Sequence, residues 1–182
     1  MISYPSIVRR ATPEDIDGLL LLVPQILAET TLQPVSLDKV EQLIERCVYQ
    51  QGGSIAGVID GEDGLIDASV GLTFCESETS DVPFIRAVWC GLHPSVRKQP
   101  SNPDDPRAHY GRTLFHFASW CHENLERVAG HPVLLQFDIA TKTMLSAKMR
   151  LFQRNLTQTG AIFALGAVGD FAAQKLPETE VA

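Results

Sequence analysis

The chain has 182 residues, a length that fits one domain with a sizeable buried core. Hydrophobic residues make up 45% of it and charged residues 20%, and no segment approaches the roughly 20 consecutive apolar residues of a membrane span. The formal net charge of −7 argues against nucleic acid as a partner, because nucleic-acid-binding proteins carry a basic stripe.

The N-terminal part predicts a strand and two helices. A β-prone run covers residues 6–11, and Thr12 followed by Pro13 marks a helix start. Apolar residues continue at helical spacing to Leu27, and Pro24 is expected to kink or divide this helix. Ser36 is the predicted cap of a second helix. Its predicted apolar face consists of Leu37, Val40, Leu43, Ile44 and Cys47 or Val48.

The middle of the chain predicts three consecutive strands. Residues 54–59 and 65–75 form a hairpin around the turn at residues 60–64, and residues 84–92 form the third strand. That strand ends at His93-Pro94. A loop with three prolines, residues 95–106, follows it.

The remaining segments alternate between helix and strand. Residues 111–128 have a single apolar stripe and predict a helix, and residues 133–139 predict a buried strand that pairs in parallel. A helix at residues 143–155 and a strand at 160–168 complete the series, and the polar tail at 174–182 is expected to fray. We therefore expect one domain over residues 1–182.

The cysteines are scattered and contain no Cys-x-x-Cys pair. This pattern predicts free, mostly buried thiols and a cytoplasmic location. The histidines and Cys121 have no recognised ligand spacing, so no metal site is predicted.

One junction carries a chemical signal. The strand ending at Leu92-His93-Pro94 leads, through the proline-containing loop, to Gly111 at a helix start. Glycine lets the backbone approach an anion closely, and the free N–H groups and dipole of the first turn favour phosphate. This is a candidate pyrophosphate site, although a lone glycine before a helix is also a common loop end.

The order of the elements resembles that of the GCN5-related N-acetyltransferases over about residues 6–170. Leu92-His93-Pro94 and Gly111-Arg112-Thr113-Leu114 are similar to two motifs of that family. The resemblance implies an α/β (α+β) fold, with a mixed central sheet flanked by helices on both faces. It departs from the family at Pro106, where Gln or Arg is expected, and at His109, where Gly is expected.

The resemblance also implies a cofactor, acetyl-CoA or another acyl-CoA. Backbone groups around Cys90 and Leu92 would pair with its pantetheine arm. Its pyrophosphate would be held by the residues that surround the helix start, namely Arg107, Ala108, His109, Tyr110, Gly111 and Arg112.

In the family an amine attacks the thioester directly, and a tyrosine protonates the leaving thiolate. Phe152 takes the position of that tyrosine here, so Tyr110 is a candidate substitute, with packing or stacking near the nucleotide as its alternative roles. Asp138 is the preferred candidate for a base, since a carboxylate in an apolar strand needs a partner or a function, and its alternative role is a hydrogen bond to a loop at the end of that strand. His93 is a second candidate. Further candidates for the base are Glu76, Glu78 and Asp81.

The acceptor stays open among polyamines, antibiotics, amino acids, protein N-termini and lysines. The acidic charge mildly favours a cationic acceptor. The competing hypotheses are a CoA-binding module that has lost catalysis and a protein-interaction module with the same fold. A homodimer, common in the family, is a further expectation.

Overall fold

The computed structural model describes residues 7–30, 34–76, 83–97, 106–130 and 133–137. Residues 1–26 and 36–138 form one compact unit, and residues 27–35 with 139–182 form another. Of the second unit the structure describes residues 27–30 and 34–35. The helix expected at 143–155, the strand at 160–168 and the tail lie outside the described residues. The expectation of a single domain stays a prediction.

The described part contains five strands and four helices, joined in places by short 3₁₀ turns. In chain order they are β1 (Arg9–Arg10), α1 (Ile16–Thr30), α2 (Leu37–Val48), β2 (Ile55–Asp60), β3 (Ile66–Cys75), β4 (Phe84–Leu92), α3 (Pro94–Arg97), α4 (Tyr110–Ala129) and β5 (Leu134–Phe137). The short helix α3 occupies the start of the segment that the sequence predicts as a loop. None of the helices described is long and apolar enough to cross a membrane.

The five strands form one mixed sheet in the order β1-β2-β3-β4-β5. Strands β1 to β4 pair antiparallel, and β5 pairs parallel to β4 through Phe84–Ala87. Parallel neighbours need a crossover connection, and here the crossover contains α4. The predicted hairpin, third strand and parallel pairing are confirmed. The burial predicted for the last of these strands is wrong, because Leu134 of β5 is 50% exposed and the rest of β5 is half-buried.

Helix α4 covers one face of the sheet. Leu114, Phe117 and Ala118 are at most 1% exposed and share a core cluster with side chains of β3 and β4. The helix ends at Gly130, which has a φ of 70° and donates its N–H to the Glu126 carbonyl at 2.9 Å. Glycine adopts this left-handed conformation without steric cost, so the chain can turn here towards β5.

Helix α1 covers the opposite face. A β-carbon at Gly91 of β4 would lie 2.9 Å from Ile26 of α1. The adjacent residue, Leu92, packs against the α4 cluster, and neighbouring residues of a strand point to opposite faces. The predicted arrangement, a mixed sheet with helices on both faces, is therefore confirmed.

Two details of the helices differ from expectation. Of the two effects expected of Pro24, division of the helix is wrong, because α1 is continuous from Ile16 to Thr30, and a kink stays a prediction. A proline inside a helix costs about 3 kcal/mol. Leu19, Leu22, Val23 and Ile26 are at most 1% exposed, and burial of one such side chain contributes roughly 1.5–3 kcal/mol, so their sum exceeds that cost.

The second difference concerns the apolar face of α2. Leu37 is 65% exposed and does not belong to the buried face, which consists of Val40, Ile44, Cys47 and Val48. Leu37 is the first residue of the helix.

Candidate functional site

Strand β4 contains one residue more than β3 along their pairing. Leu72 lies opposite Ala87, whereas the preceding residue, Gly71, lies opposite Trp89. Val88 therefore has no partner position on β3. This is a β-bulge, which bends its strand and changes the face to which the following side chains point.

The bulge keeps Cys90 and Leu92 on the α4 side of the sheet. Before the bulge, Ile85 and Ala87 belong to the α4 core cluster, and after it Cys90 and Leu92 pack against the same cluster. With regular alternation, odd-numbered residues would have continued on this side. The two positions implied in pantetheine binding thus lie directly after the irregular part of the strand, near the point where the register with β5 ends at Ala87.

Trp89 points to the opposite side and is 2% exposed. Its indole Nε1 donates to Ser69 Oγ at 3.0 Å, and Ser69 Oγ donates to the Gly57 carbonyl at 3.0 Å. Through these two hydrogen bonds, Trp89 of β4 is connected to Ser69 of β3 and to Gly57 of β2, directly after the bulge. The sequence analysis did not single out Trp89 or Ser69, since a buried Trp in an apolar strand is normally a packing residue.

The N terminus of α4 is basic and uncapped. It follows the 3₁₀ turn Pro106–His109, its N-cap residue His109 forms no side-chain capping hydrogen bond, and its first turn contains no acidic residue. His109 and Arg112 are exposed and Arg107 is half-buried. The first N–H groups of a helix, together with its positive dipole end, stabilise an anion.

The space beside Gly111 is open. Apart from the neighbouring backbone of its own helix, a β-carbon built on Gly111 would meet no atom of the described chain within 4 Å. Arg107 and Arg112, the first N–H groups of α4 and this open space are the donors and the room that a phosphate group needs. The described residues therefore fit the pyrophosphate of an acyl-CoA.

His93 follows β4 and is held in two ways. Its backbone N–H donates to the Asp67 carbonyl at 2.7 Å, and its ring Nδ1 lies 2.7 Å from Ser95 Oγ and 3.4 Å from the Ser95 nitrogen. A backbone N–H can only donate, so Nδ1 accepts and the neutral ring carries its proton on Nε2. As a base, His93 would receive a proton at Nδ1, beside Ser95.

Asp67 lies at the same end of the sheet. Burial raises the pKa of its carboxyl group and the nearby Asp63 raises it further, while Arg107 and His93 lower it. Arg107, at the start of α4, is therefore within electrostatic range of this carboxylate. The sequence analysis did not identify Asp67, because the bulge that places it here becomes visible only in the pairing of β2 with β3.

Tyr110 is 8% exposed and belongs to the core cluster under α4. This position favours the packing role over that of a proton donor to a bound substrate. Of the other candidates, Glu76 is exposed after β3, and Glu78, Asp81, Asp138 and Phe152 lie outside the described residues.

All four cysteines are free, as the sequence predicts, but only Cys47 is buried, and Cys75, Cys90 and Cys121 are half-buried. Burial raises the pKa of Cys47 and of Cys121 to about 12 in each case. Thiols with such pKa values are almost entirely protonated at neutral pH and react slowly. In the described ranges, no group of three or more His, Cys, Asp or Glu side chains is placed to hold a metal ion.

Solved structures with the same architecture decide the fold. A possible acetyltransferase from Clostridium difficile 630 superimposes with a TM-score of 0.59 and 13% identity, covering 86% of this chain and 93% of that one. Glucosamine-6-phosphate N-acetyltransferase from Arabidopsis thaliana gives 0.58 and 12%, over 86% and 95%. An acetyltransferase from Trypanosoma brucei gives 0.55 and 16%, over 87% and 97%. The chain has the fold of the GCN5-related N-acetyltransferases.

The resemblance inferred from the sequence is therefore confirmed at the level of the GCN5-related fold. No protein-family model matches the sequence, and the comparison with curated proteins gives no match. At 12–16% identity the structural similarity does not indicate which substrate the protein uses. Function has to be argued from the residues at the end of β4 and at the start of α4.

Proposed function

We propose that the protein is an acyl-CoA-dependent N-acyltransferase, with acetyl-CoA as the donor and an amine as the acceptor. The observation that carries the proposal is the basic, uncapped N terminus of α4, which follows a bulged β4 in a GCN5-related fold. A helix N terminus by itself is a common feature. Here it coincides with open space at Gly111 and with a fold found in acetyltransferases.

The proposed site has two parts. Backbone groups at Cys90 and Leu92 bind the pantetheine arm, and the N–H groups of residues 108–112 hold the pyrophosphate with Arg107 and Arg112. When bound, acetyl-CoA supplies an acyl group activated as a thioester, with a thiol as the leaving group. The protein's contribution to the rate is mainly to hold the thioester and the amine in position for attack.

The proton steps are assigned to two separate groups. The attacking amine loses a proton to His93, to Asp138 or to water. The leaving thiolate gains one from water or from Tyr110, and the burial of Tyr110 favours water. Because the pKa of a thiol is about 8.5, departure without a strong proton donor is slow but feasible.

The acceptor belongs to the class of cationic amines in this proposal. The net charge of −7 attracts cations, so among polyamines, antibiotics, amino acids, protein N-termini and lysines it mildly favours the acceptors with a net positive charge. We further propose a cytoplasmic, single-domain protein that forms homodimers. A CoA-binding module without turnover is the second candidate, and the buried position of Tyr110 is the observation that favours it.

Calorimetry and thermal unfolding with acetyl-CoA, CoA and longer acyl-CoAs test the proposal first. We expect micromolar-range affinity and a higher melting temperature, because ligands that bind the folded state stabilise it. No binding at millimolar ligand would exclude both candidates. An acceptor screen that detects free thiol then separates the enzyme from the binding module.

The substitution Gly111→Glu locates the site. Glutamate in the first turn of α4 fits the open space and stabilises the helix dipole, but it places a negative charge where phosphate is expected. We expect it to abolish the CoA-dependent shift without lowering the melting temperature of the free protein.

Val128→Glu is the matched control. Val128 is 86% exposed near the other end of the same helix, so this variant adds the same charge far from the site. It should bind CoA like the parent. Equal loss of binding in both variants would indicate a general charge effect, and unchanged binding by the Gly111 variant would show that the pyrophosphate binds elsewhere.

A further inference from the structure

We infer that Trp89 is a positioning residue: its indole, hydrogen-bonded to Ser69 and packed on Gly71, fixes the bulge of β4 and thereby the backbone at Cys90 and Leu92. The inference rests on the proposed function, because it assigns a purpose to the strand that the proposal places against pantetheine.

The donor and the acceptor of each of these two hydrogen bonds can be assigned from chemistry alone. An indole N–H can only donate and a carbonyl can only accept, so the single Ser69 hydroxyl proton goes to the Gly57 carbonyl. Ser69 is 0% exposed and Trp89 is 2% exposed. Water does not compete at such a depth, and loss of either partner leaves a buried group with an unmade hydrogen bond.

Gly71 makes room for the indole. A β-carbon on Gly71 would overlap the six-membered part of the Trp89 ring. The ring therefore lies against the backbone of β3 at Gly71, beside the step where the register shifts. Its position depends on glycine at 71 and on the extra residue at Val88.

The side on which Trp89 is buried determines where the bulge lies. Ile85 and Ala87 face α4, so in a regular strand Trp89 would face α4 as well. Trp89 reaches Ser69 on the other side only if the extra residue precedes it. The hydrogen bond and the packing on Gly71 thus hold the bulge between Ala87 and Trp89.

The position of the bulge matters for backbone binding. Successive residues of a strand direct their N–H and C=O groups to opposite edges, and a bulge reverses this order for all later residues. If the bulge moved past Leu92, different residues would present their backbone groups to the β5 edge. Trp89 can therefore act on a ligand that pairs with Cys90 and Leu92 without touching it.

The test uses the full chain and two variants, with one readout that needs no ligand. Trp89→Phe keeps an aromatic ring and removes the donor, and Ser69→Ala removes the acceptor. We expect amide hydrogen exchange over residues 88–92 to accelerate about five- to tenfold in each, as the loss of one buried hydrogen bond implies. The affinity for CoA in calorimetry should fall by about the same factor.

Ile44→Val is the matched control. Ile44 is 0% exposed in α2, and loss of one methylene there should lower global stability while leaving both partners of the Trp89 hydrogen bonds in the chain. It should leave exchange over residues 88–92 and the affinity for CoA unchanged. That pattern, with both losses in the Trp89 and Ser69 variants, supports the inference.

Three results would overturn it. Unchanged exchange over residues 88–92 in both variants refutes the positioning role, whatever CoA does. Faster exchange with parental CoA affinity also refutes it and leaves the proposed function standing. If the parent itself does not bind CoA at millimolar concentration, the proposed function fails and this inference fails with it.

Discussion

Phe117 of α4 packs directly against Gly57 of β2, so that a β-carbon on the glycine would lie 2.8 Å from the Phe117 ring. Phe117 is 1% exposed and is the largest fully buried side chain among the described residues. The close approach of helix and sheet at this point depends on the absence of a side chain at 57. Gly57 does not have a positive φ, so its role is to give space and not to allow an unusual backbone.

We expect Gly57→Ala to lower the free energy of unfolding by about 1–3 kcal/mol, the usual cost of overpacking a core. Urea denaturation measures the loss. Phe117→Leu should relieve the overlap, so the double variant should be destabilised less than the sum of the two single variants. Strict additivity would show that Phe117 and Gly57 are not in contact.

A second prediction concerns the ion pairs of Arg9. This guanidinium binds Asp15 at 2.7 and 2.8 Å and Asp60 at 2.7 and 2.6 Å, and so connects β1, the turn before α1 and the end of β2. Asp15 also accepts from the Thr12 backbone N–H at 2.7 Å. Hydrogen bonds from Arg9, opposed in part by burial, hold the pKa of Asp15 below its usual value.

Asp15→Asn should therefore lower the free energy of unfolding at pH 7 by about 1.5–3 kcal/mol, as expected for hydrogen bonds to a charged group. Because the folded pKa is lowered, this contribution is fully present above the unfolded pKa of about 3.9 and is lost as the pH falls through the folded pKa. Denaturation at pH 7, 5 and 3 should show an equal difference at the first two values and a smaller one at pH 3. A constant difference at all three would exclude an ionic contribution.

Most of the regular structure could be predicted because it follows local rules. Strand β4 has the predicted bounds, α2 begins directly after Ser36, and α4 exceeds its predicted range by one residue at each end. In these segments the apolar period and the residues at the ends agree. Helix α1 differs, since the burial of Leu19, Leu22, Val23 and Ile26 outweighs the local effect of Pro24.

The candidate site could be predicted only in part. Gly111 and the basic residues beside it are visible in the sequence as a helix start. The bulge at Val88 is not visible in the sequence, because residues 87–90 are all apolar. In such a run an extra residue does not interrupt any alternation of apolar and polar residues. The surroundings of Asp67 and Trp89 are formed by residues on neighbouring strands. The sequence of one strand does not show which residues of the next strand pair with it.

A third prediction follows from Asp67. Its pKa is raised, first by burial and then by Asp63, so the folded state binds a proton more tightly than the unfolded chain does. Ionised Asp67 therefore costs stability at every pH above its folded pKa, and the cost vanishes below the unfolded pKa of about 3.9. Asp67→Asn should raise the melting temperature at pH 7, and the gain should decrease as the pH is lowered towards 4.

Glu62→Gln is the control for this experiment. Glu62 also raises the pKa of Asp67, but it is the weakest of the five contributions, so its removal should change the melting temperature less. If Asp67→Asn lowers the melting temperature at pH 7, the attraction of Arg107 exceeds the cost of burial.

The last prediction concerns Tyr110 and the source of the proton for the leaving thiolate. The ring is 8% exposed and packs with the core cluster that includes Leu114 and Phe117. Removal of the hydroxyl group preserves this packing. We therefore expect Tyr110→Phe to keep kcat within about twofold, whereas loss of a true general acid would lower it roughly 100- to 10,000-fold.

Turnover with acetyl-CoA and a responsive acceptor, followed by release of free thiol, measures the effect. Tyr110→Leu serves as a control for packing, since it removes the ring and should lower the melting temperature with or without catalysis. Phe152→Tyr, measured beside it, restores the residue that the family resemblance expects. A large fall in kcat for Tyr110→Phe, with CoA affinity and melting temperature unchanged, would identify Tyr110 as the proton donor despite its burial. Transfer that occurs only after Phe152→Tyr would instead establish that the native protein is a CoA-binding module, because the missing proton donor would then be the sole obstacle to turnover.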